Sequence, residues 1–201
     1  MTELFPRVSM TARGYDIGQV DAFFERARRD YEGSVAPDGE TAPDDAVARE
    51  GAEQLEPLEA ATVRTAAFDL VRHGYSPVAV DAALDRLEAA FVAADRADFI
   101  AENGQGAWMT GVVERATTLY ERLTRPPGER FAPPQRGRGY DAAQVDVLLD
   151  ALVAYFDEGT PIQAAQVRST TFASAPRARA YAEGPVDAYL GRVVDVLLAV
   201  E

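Results

Sequence analysis

Residues 13–21 read Arg13-Gly14-Tyr15-Asp16-Ile17-Gly18-Gln19-Val20-Asp21, and residues 138–146 read Arg138-Gly139-Tyr140-Asp141-Ala142-Ala143-Gln144-Val145-Asp146. Arg, Gly, Tyr, Asp, Gln, Val and the final Asp stand at the same places in both. The core of the pattern, Tyr-x4-Val-Asp, recurs at Tyr75/Val80/Asp81 and at Tyr181/Val186/Asp187. These two copies share a different upstream block, Pro-(Leu/Ile)-x-Ala-Ala-x-Val-Arg-(Thr/Ser)-x-x-Phe, at 57–68 and 161–172. Calling the first kind A and the second B, the order is A-B-A-B. A two-unit ancestor that was then duplicated explains it, and repeats of this length are supersecondary units that bury their apolar faces on one another.

Each copy reads as a turn entering a helix. In the A copies Asp16 and Asp141 are N-cap residues, with Gln19 and Gln144 at the capping-box position three residues on. In the second copy Ser76 caps and Pro77 takes the first helical position. The fourth copy carries Ala182-Glu183-Gly184-Pro185 there, so its helix is expected to start near Gly184. Glycine before the tyrosine (Gly14, Gly74, Gly139) suits a sharp turn with positive φ, a role that Ala180 in the last copy fills less well.

Downstream the apolar phase is the same four times. At four, seven and eleven residues past the motif valine stand Phe24, Ala27, Tyr31; Leu84, Leu87, Phe91; Leu149, Leu152, Phe156; and Leu190, Val193, Leu197. This is a coiled-coil seam, but three of the helices are too short for the three or four heptads of an independent coiled coil. Apolar residues at +3 (Phe23, Ala83, Leu148, Tyr189) widen the stripe to a bundle face. The fold class expected is all-α: a compact bundle of four repeated turn-helix units plus supporting helices, with no long coiled coil and no β-sheet. The segments expected are repeat 1 at 1–32, an acidic linker at 33–56, repeat 2 at 57–102, a supporting helix at 103–124, a basic linker with repeat 3 at 125–158, and repeat 4 at 159–201. The acidic linker has net charge −6 and at most a weak helix near 44–55. Residues 125–138, with four prolines and net charge +3, read as a stiff basic linker. Short helices are expected after Pro57 and Pro161, each proline at the first helical position.

Composition removes most enzyme chemistry. The 201 residues include no cysteine and one histidine, His73. That excludes thiol catalysis, zinc–cysteine sites and multi-histidine metal sites, and disfavours a histidine triad. All 20 basic residues are arginine, a usage that suits a GC-rich genome; with no lysine, Asn103-Gly-Gln-Gly106 is a helix stop and restart rather than a phosphate loop. Asp44 and Asp45 sit in the acidic linker, where general acid–base work is not expected. A net charge of −13 disfavours nucleic-acid binding. The first hundred residues carry −10 of it and the rest −3. No apolar run of eighteen residues and no signal-like N-terminus stand in the sequence.

The segment Val63-Arg-Thr-Ala-Ala-Phe68, followed by Gly74-Tyr75 and Val80-Asp81, resembles the N-terminal domain of DivIVA, the bacterial cell-division and polar-scaffold family. Arg13-Gly-Tyr-Asp16 and Arg138-Gly-Tyr-Asp141 resemble that family's turn motif more closely still. The resemblance covers roughly 1–31, 57–100, 129–157 and 160–201. It implies a DivIVA-domain repeat protein of GC-rich Gram-positive bacteria: a short helix and crossing loop, a loop tip that presents an aromatic and basic residues to the membrane, and oligomerisation with partner recruitment. In this chain the tip position holds Ala12, Arg72, Gly137 and Ala178, and no copy has an aromatic there.

The expected function is therefore a non-enzymatic scaffold or adaptor associated with cell division or polar growth. The alternative is a soluble helical module that binds some other protein and keeps only the fold. No catalytic, cofactor-binding or metal residues are expected, and no cofactor. The partners expected are proteins, with no nucleic acid and weak or indirect membrane contact, in a monomer or simple dimer that is cytoplasmic or recruited to septum or pole. The twelve motif residues (Tyr15, Val20, Asp21, Tyr75, Val80, Asp81, Tyr140, Val145, Asp146, Tyr181, Val186, Asp187) are structural: tyrosines packing helix starts onto neighbours, aspartates pairing with loop arginines or touching a partner. Candidate membrane or partner contacts are Arg13, Leu70, Val71, Arg72, Arg130, Phe131, Arg136, Arg138 and Arg179. His73 reads as a loop residue and Trp108 as core.

Overall fold

The computed structural model describes residues 3–35 and 58–201. The chain divides into two compact units, Met1–Ala97 and Asp98–Glu201, each holding one A copy and one B copy. The acidic linker, its weak helix and Pro57 lie largely outside the described residues, although residues 33–35 belong to the first motif helix.

In the first unit the elements are β1 (Arg13–Tyr15), α1 (Ile17–Val35), α2 (Ala60–Arg64), β2 (Leu70–Arg72) and α3 (Pro77–Asn103), whose last residues pass the division. In the second they are α4 (Gln105–Leu123), β3 (Arg138–Asp141), α5 (Ala142–Glu158), α6 (Ala164–Ser169), β4 (Ser174–Pro176), a 3-10 turn at Arg177–Arg179, β5 (Ala180–Tyr181) and α7 (Glu183–Leu198).

Helix dominates, but the all-α expectation fails in one respect: each unit contains a small antiparallel sheet. β1 pairs with β2, and β3 is flanked by β4 and β5. The reason is a polar one. The residues before each tyrosine are buried too deeply for water to satisfy their backbone and cannot be helical, so they bond across to the other copy. The same strands correct the reading of the glycines. Gly14, Gly74 and Gly139 do not have positive φ. They are glycines because two backbones meet there: a Cβ on Gly14 would stand 2.2 Å from the Tyr75 carbonyl oxygen, and one on Gly74 2.3 Å from that of Tyr15.

The seam reading holds. Val20, Val80, Val145 and Val186 are all fully buried. Val20 and Val80 pack with Tyr75, while Ala27, Val63 and Phe91 form a second cluster of the first unit. In the second unit one core joins Val145, Leu149, Leu152, Val186, Val193 and Leu197 to the apolar face of α4. That face is Val112, Leu119 and Leu123, with Trp108 and Ala116 partly buried beside it, as the spacing predicts. The Trp108 indole N–H donates to the Ala199 carbonyl at 3.1 Å. Gly104, at φ 82°, separates α3 from α4 as the stop-and-restart reading requires.

Three further expectations are corrected. α6 begins three residues after Pro161, and its start is fixed by a reciprocal capping box between Gln163 and Gln166; α2 likewise begins only at Ala60. Residues 125–138 are not a free linker, since Arg130 and Phe131 are each only 4% exposed. The helix α1 runs on to Val35, past the end assigned to repeat 1.

Candidate functional site

The candidate site that each unit builds is the crossing of its two turns. Tyr15 and Tyr75 exchange backbone hydrogen bonds, each N–H donating to the other's carbonyl at 2.9 Å. In the second unit the ladder sets Tyr140 opposite Tyr181. The side chains then exchange partners. The Tyr181 hydroxyl donates to the Asp146 carboxylate, 3.0 Å from Oδ1, and Tyr75 pairs with Asp21. In the opposite sense Tyr15 pairs with Asp81, and Tyr140 with Asp187. Every tyrosine of an A copy thus meets the aspartate of its B copy, and the reverse. This gives the fixed Tyr-x4-Val-Asp spacing its physical reason: valine turns inward to the seam while aspartate, one residue on, faces the partner's turn. Among the described residues, the expectation of arginine-paired aspartates is met only at Asp146.

The two pairs in each unit are not equivalent. Tyr75 and Tyr181 are buried and Tyr15 and Tyr140 half-buried. Asp146 is 6% exposed and also accepts from the Gly128 N–H at 2.7 Å. Asp81 and Asp187 are exposed. Burial, followed by the facing carboxylate, pushes the Tyr15 and Tyr140 hydroxyls above their ordinary range. Burial raises Tyr75 and Tyr181 too, opposed in part by a backbone N–H that donates to each oxygen.

The A-specific and B-specific motifs also prove to be two halves of one joint. Asp16 Oδ1 accepts from the Gln19 N–H at 2.9 Å, and Asp141 Oδ1 from that of Gln144 at 3.2 Å, as N-caps should. The capping box does not close. Each glutamine side chain instead accepts from the N–H just after the B-block phenylalanine, Asp69 at 2.8 Å and Ala173 at 2.7 Å. The cap residues' own N–H groups donate to the carbonyls of those same two residues, both at 2.8 Å. Tyr15 then packs on Phe68 and Tyr140 on Phe172, with ring centroids 5.4 and 5.2 Å apart. The A motif reads the B block.

One component was not anticipated. A strap ahead of each A turn crosses the B tyrosine: Leu4 N–H donates to the Tyr75 hydroxyl and Arg130 N–H to that of Tyr181, both at 3.2 Å. Phe5 and Phe131 pack edge-on to those rings. The carbonyls of Pro6 and Ala132 then accept from Ser76 and Ala182, at 2.8 and 2.9 Å. The sequence did carry a signal, Glu3-Leu4-Phe5 matching Glu129-Arg130-Phe131, but its offset from the tyrosine differs by one residue. The straps diverge at one place. Arg130 bonds Asp146 and Asp150 from inside the unit, whereas Leu4 stands at its equivalent, and Asp21 Oδ1 is buried with no hydrogen-bond partner among the described residues.

The candidate contact residues separate accordingly. Arg130 and Phe131 are internal and present nothing to a surface, because the strap must cover Tyr181. Arg13 and Arg72 are exposed and sit directly opposite one another in the β1–β2 ladder. Leu70 is 52% exposed beside them, with Met10 more exposed still, and Val71 half-buried. Arg136, Arg138 and Arg179 are exposed; Arg138 donates to the Ser174 hydroxyl and carbonyl at 2.9 and 2.7 Å. His73 has φ 56°, and its Nδ1 lies 2.9 Å from the Val8 carbonyl oxygen. Among the described residues no group of three or more His, Cys, Asp or Glu side chains could hold a metal ion, and no helix is long and apolar enough to cross a membrane. No family model, curated protein or solved structure matches the chain.

Tyr189 supplies a pH test of the second unit. Its hydroxyl donates to the Leu119 carbonyl at 2.9 Å, and burial pushes its pKa up to about 12, against the opposing pull of Arg122, Arg192 and Arg130. A folded-state pKa above the unfolded value contributes stability that is complete below about pH 10 and is lost as pH rises through about 12. The four motif tyrosines act in the same direction. The tyrosinate absorbance contributed by these five residues should therefore rise late and together with loss of helical circular dichroism. Their ionisation near pH 10 with helix intact would contradict the buried hydroxyls.

Proposed function

We propose that the protein is a non-enzymatic scaffold or adaptor of the DivIVA type, tied to bacterial cell division or polar growth. The observation that carries this reading is the exchange of tyrosine–aspartate partners across paired turns, repeated in the same sense in both units. In the family that the motifs resemble, a crossing loop precedes a two-chain coiled coil. Here an A copy and a B copy in one chain supply the two halves, which favours a chain that is self-sufficient rather than a filament subunit. Sedimentation equilibrium should give a monomer or simple dimer, and a stable tetramer or filament would contradict this. The reading is tested by a fluorescent fusion in the native cell. Enrichment at septum or pole is expected; a uniform signal through the cell cycle would favour a protein-binding module unrelated to division.

Recruitment through a protein rather than lipid follows from the turns. Each exposed arginine gains ~1 kcal/mol at an anionic surface. Arg13 with Arg72, or Arg136 with Arg138, thus supplies about 2 kcal/mol per turn, weaker than a millimolar affinity. No aromatic wedge adds to it, and the net charge of −13 opposes it. Cosedimentation with anionic vesicles at about 0.15 M salt should show little binding. Strong binding abolished by Arg13→Glu/Arg72→Glu would overturn that.

A further inference from the structure

We infer that the second unit carries a docking cleft for an acidic peptide segment with an apolar side chain, between the strap and the 3-10 turn. This does not depend on the scaffold reading, because the cleft's chemistry is the same whatever the cell uses the protein for. The cleft measures about 790 Å³, inside the range of roughly 300–1,000 Å³ that small ligands and short side-chain clusters fill. Its floor is apolar where it is accessible: Pro133, Ala143 and Ala178 are exposed and Ala142 half-buried, over Phe131 and Tyr181, which are at most 4% exposed. Asp146 is the one charge at the base, and it is already neutralised by Arg130 and saturated by Tyr181 and Gly128. A buried carboxylate so satisfied does not repel an incoming acid as a free one would.

The uncompensated charge lies at the rim. Arg177 and Arg179 flank Ala178 on the 3-10 turn, all three are exposed, and neither arginine has an ion-pair partner among the described residues. The other rim carboxylate, Asp141, is engaged in capping α5. Two unpaired guanidinium groups above an apolar floor match an acidic residue followed by a buried apolar one: the fork geometry of arginine holds carboxylates, and the floor accepts the neighbouring side chain. A bare phosphate would use the arginines and leave the floor empty, so a peptide satisfies more of the surface. The turn also has room to accept a peptide without unfolding, since the residues that hold the unit together (Tyr181, Asp146, Phe131) lie below the rim.

The test is fluorescence anisotropy of the full-length protein with a labelled peptide of sequence Asp-Glu-Leu-Phe-Asp-Glu, beside a control in which Leu and Phe are replaced by Gly. Saturable binding is expected for the first and at least tenfold weaker binding for the second. Arg177→Glu/Arg179→Glu should weaken the first by about a hundredfold, roughly tenfold per charge-assisted contact. Arg136→Glu, outside the cleft, should leave it within twofold. Both arginines are exposed, so the variant is expected to melt where the parent does; amide shifts induced by the peptide at Ala142, Ala143 and Ala178 provide a reading without any substitution. Equal binding by the charge-reversed variant, shifts confined elsewhere, peptide displaced by stoichiometric inorganic phosphate, or no saturation up to ~1 mM would each overturn the proposal.

Discussion

Gly139→Ala is expected to destabilise the second unit by about 3 kcal/mol or more, and Gly14→Ala the first by a similar amount. In a domain of this size that lowers the melting temperature by roughly 10–20 °C. The added Cβ would lie 2.1 Å from the Tyr181 carbonyl oxygen in one case and 2.2 Å from that of Tyr75 in the other. The obstacle is backbone, which cannot rotate away as a side chain can. The Tyr75 carbonyl is moreover held by the Tyr15 N–H, so retreat breaks the reciprocal pair of hydrogen bonds. The fourth copy shows the limit of tolerance. Ala180 occupies the glycine position there, and a Cβ on Gly139 would stand 3.4 Å from its own; one alanine fits in a crossing and the second does not. Gly111→Ala is the control. It lies within α4 with nothing within 4 Å of its Cβ, so it should raise stability by up to ~1 kcal/mol. Thermal melts with Gly139→Ala unchanged would remove the close crossing from the account.

Arg130→Ala should cost about 3 kcal/mol, because it leaves Asp146 buried with only two neutral donors. The guanidinium also bonds the Asp146 and Arg125 carbonyls, at 2.9 and 3.2 Å, so the strap and the start of the loop loosen with it. Arg130→Met/Asp146→Asn should recover most of the loss, since the amide oxygen still accepts from Tyr181 and Gly128 and no charge remains unpaired. The first unit predicts a contrast. Leu4 occupies the strap position there, so Asp21→Asn removes a half-buried charge that has no arginine partner among the described residues and should be neutral or stabilising. Arg136→Ala, on the surface, should stay within about 0.5 kcal/mol. Equal losses for Arg130→Ala and Arg136→Ala in chemical denaturation would show that the buried network contributes nothing.

How much of this was legible in the sequence divides along range. The seam was readable because the phase of Val20, Phe24, Ala27 and Tyr31 is a local property that repeats four times, and the cores use it as written. The Tyr-x4-Val-Asp spacing announced a unit, but not that its tyrosine and aspartate serve different copies, because the partner residue lies 35 to 66 residues away. Gln19 and Gln144 illustrate the difficulty. Three residues past an N-cap they fit a capping box, and only the arrival of Asp69 or Ala173 diverts them. The sheets were missed for a related reason: strands of two to four residues have no periodicity to read, and the glycines that permit them looked like turn formers. The proline-rich, basic surroundings of Arg130 and Phe131 suggest a linker and a contact patch, yet the strap needs Phe131 against Tyr181 and an arginine against Asp146. Arg13, Arg72, Arg136, Arg138 and Arg179 were placed correctly at the surface, since charge with no buried partner stays in water.

The measurement that tests pairing within the chain most directly uses the absence of cysteine. Arg13 and Arg72 are directly opposed in the first ladder, as are Arg138 and Pro176 in the second, and opposed Cα atoms in antiparallel strands stand about 4.5–5.5 Å apart, within disulfide reach. Arg13→Cys/Arg72→Cys and Arg138→Cys/Pro176→Cys, oxidised and run on a non-reducing gel with intact-mass analysis, should each give a monomer that has lost two hydrogens. A disulfide-linked dimer from either variant would show that the copies pair otherwise than first with second and third with fourth.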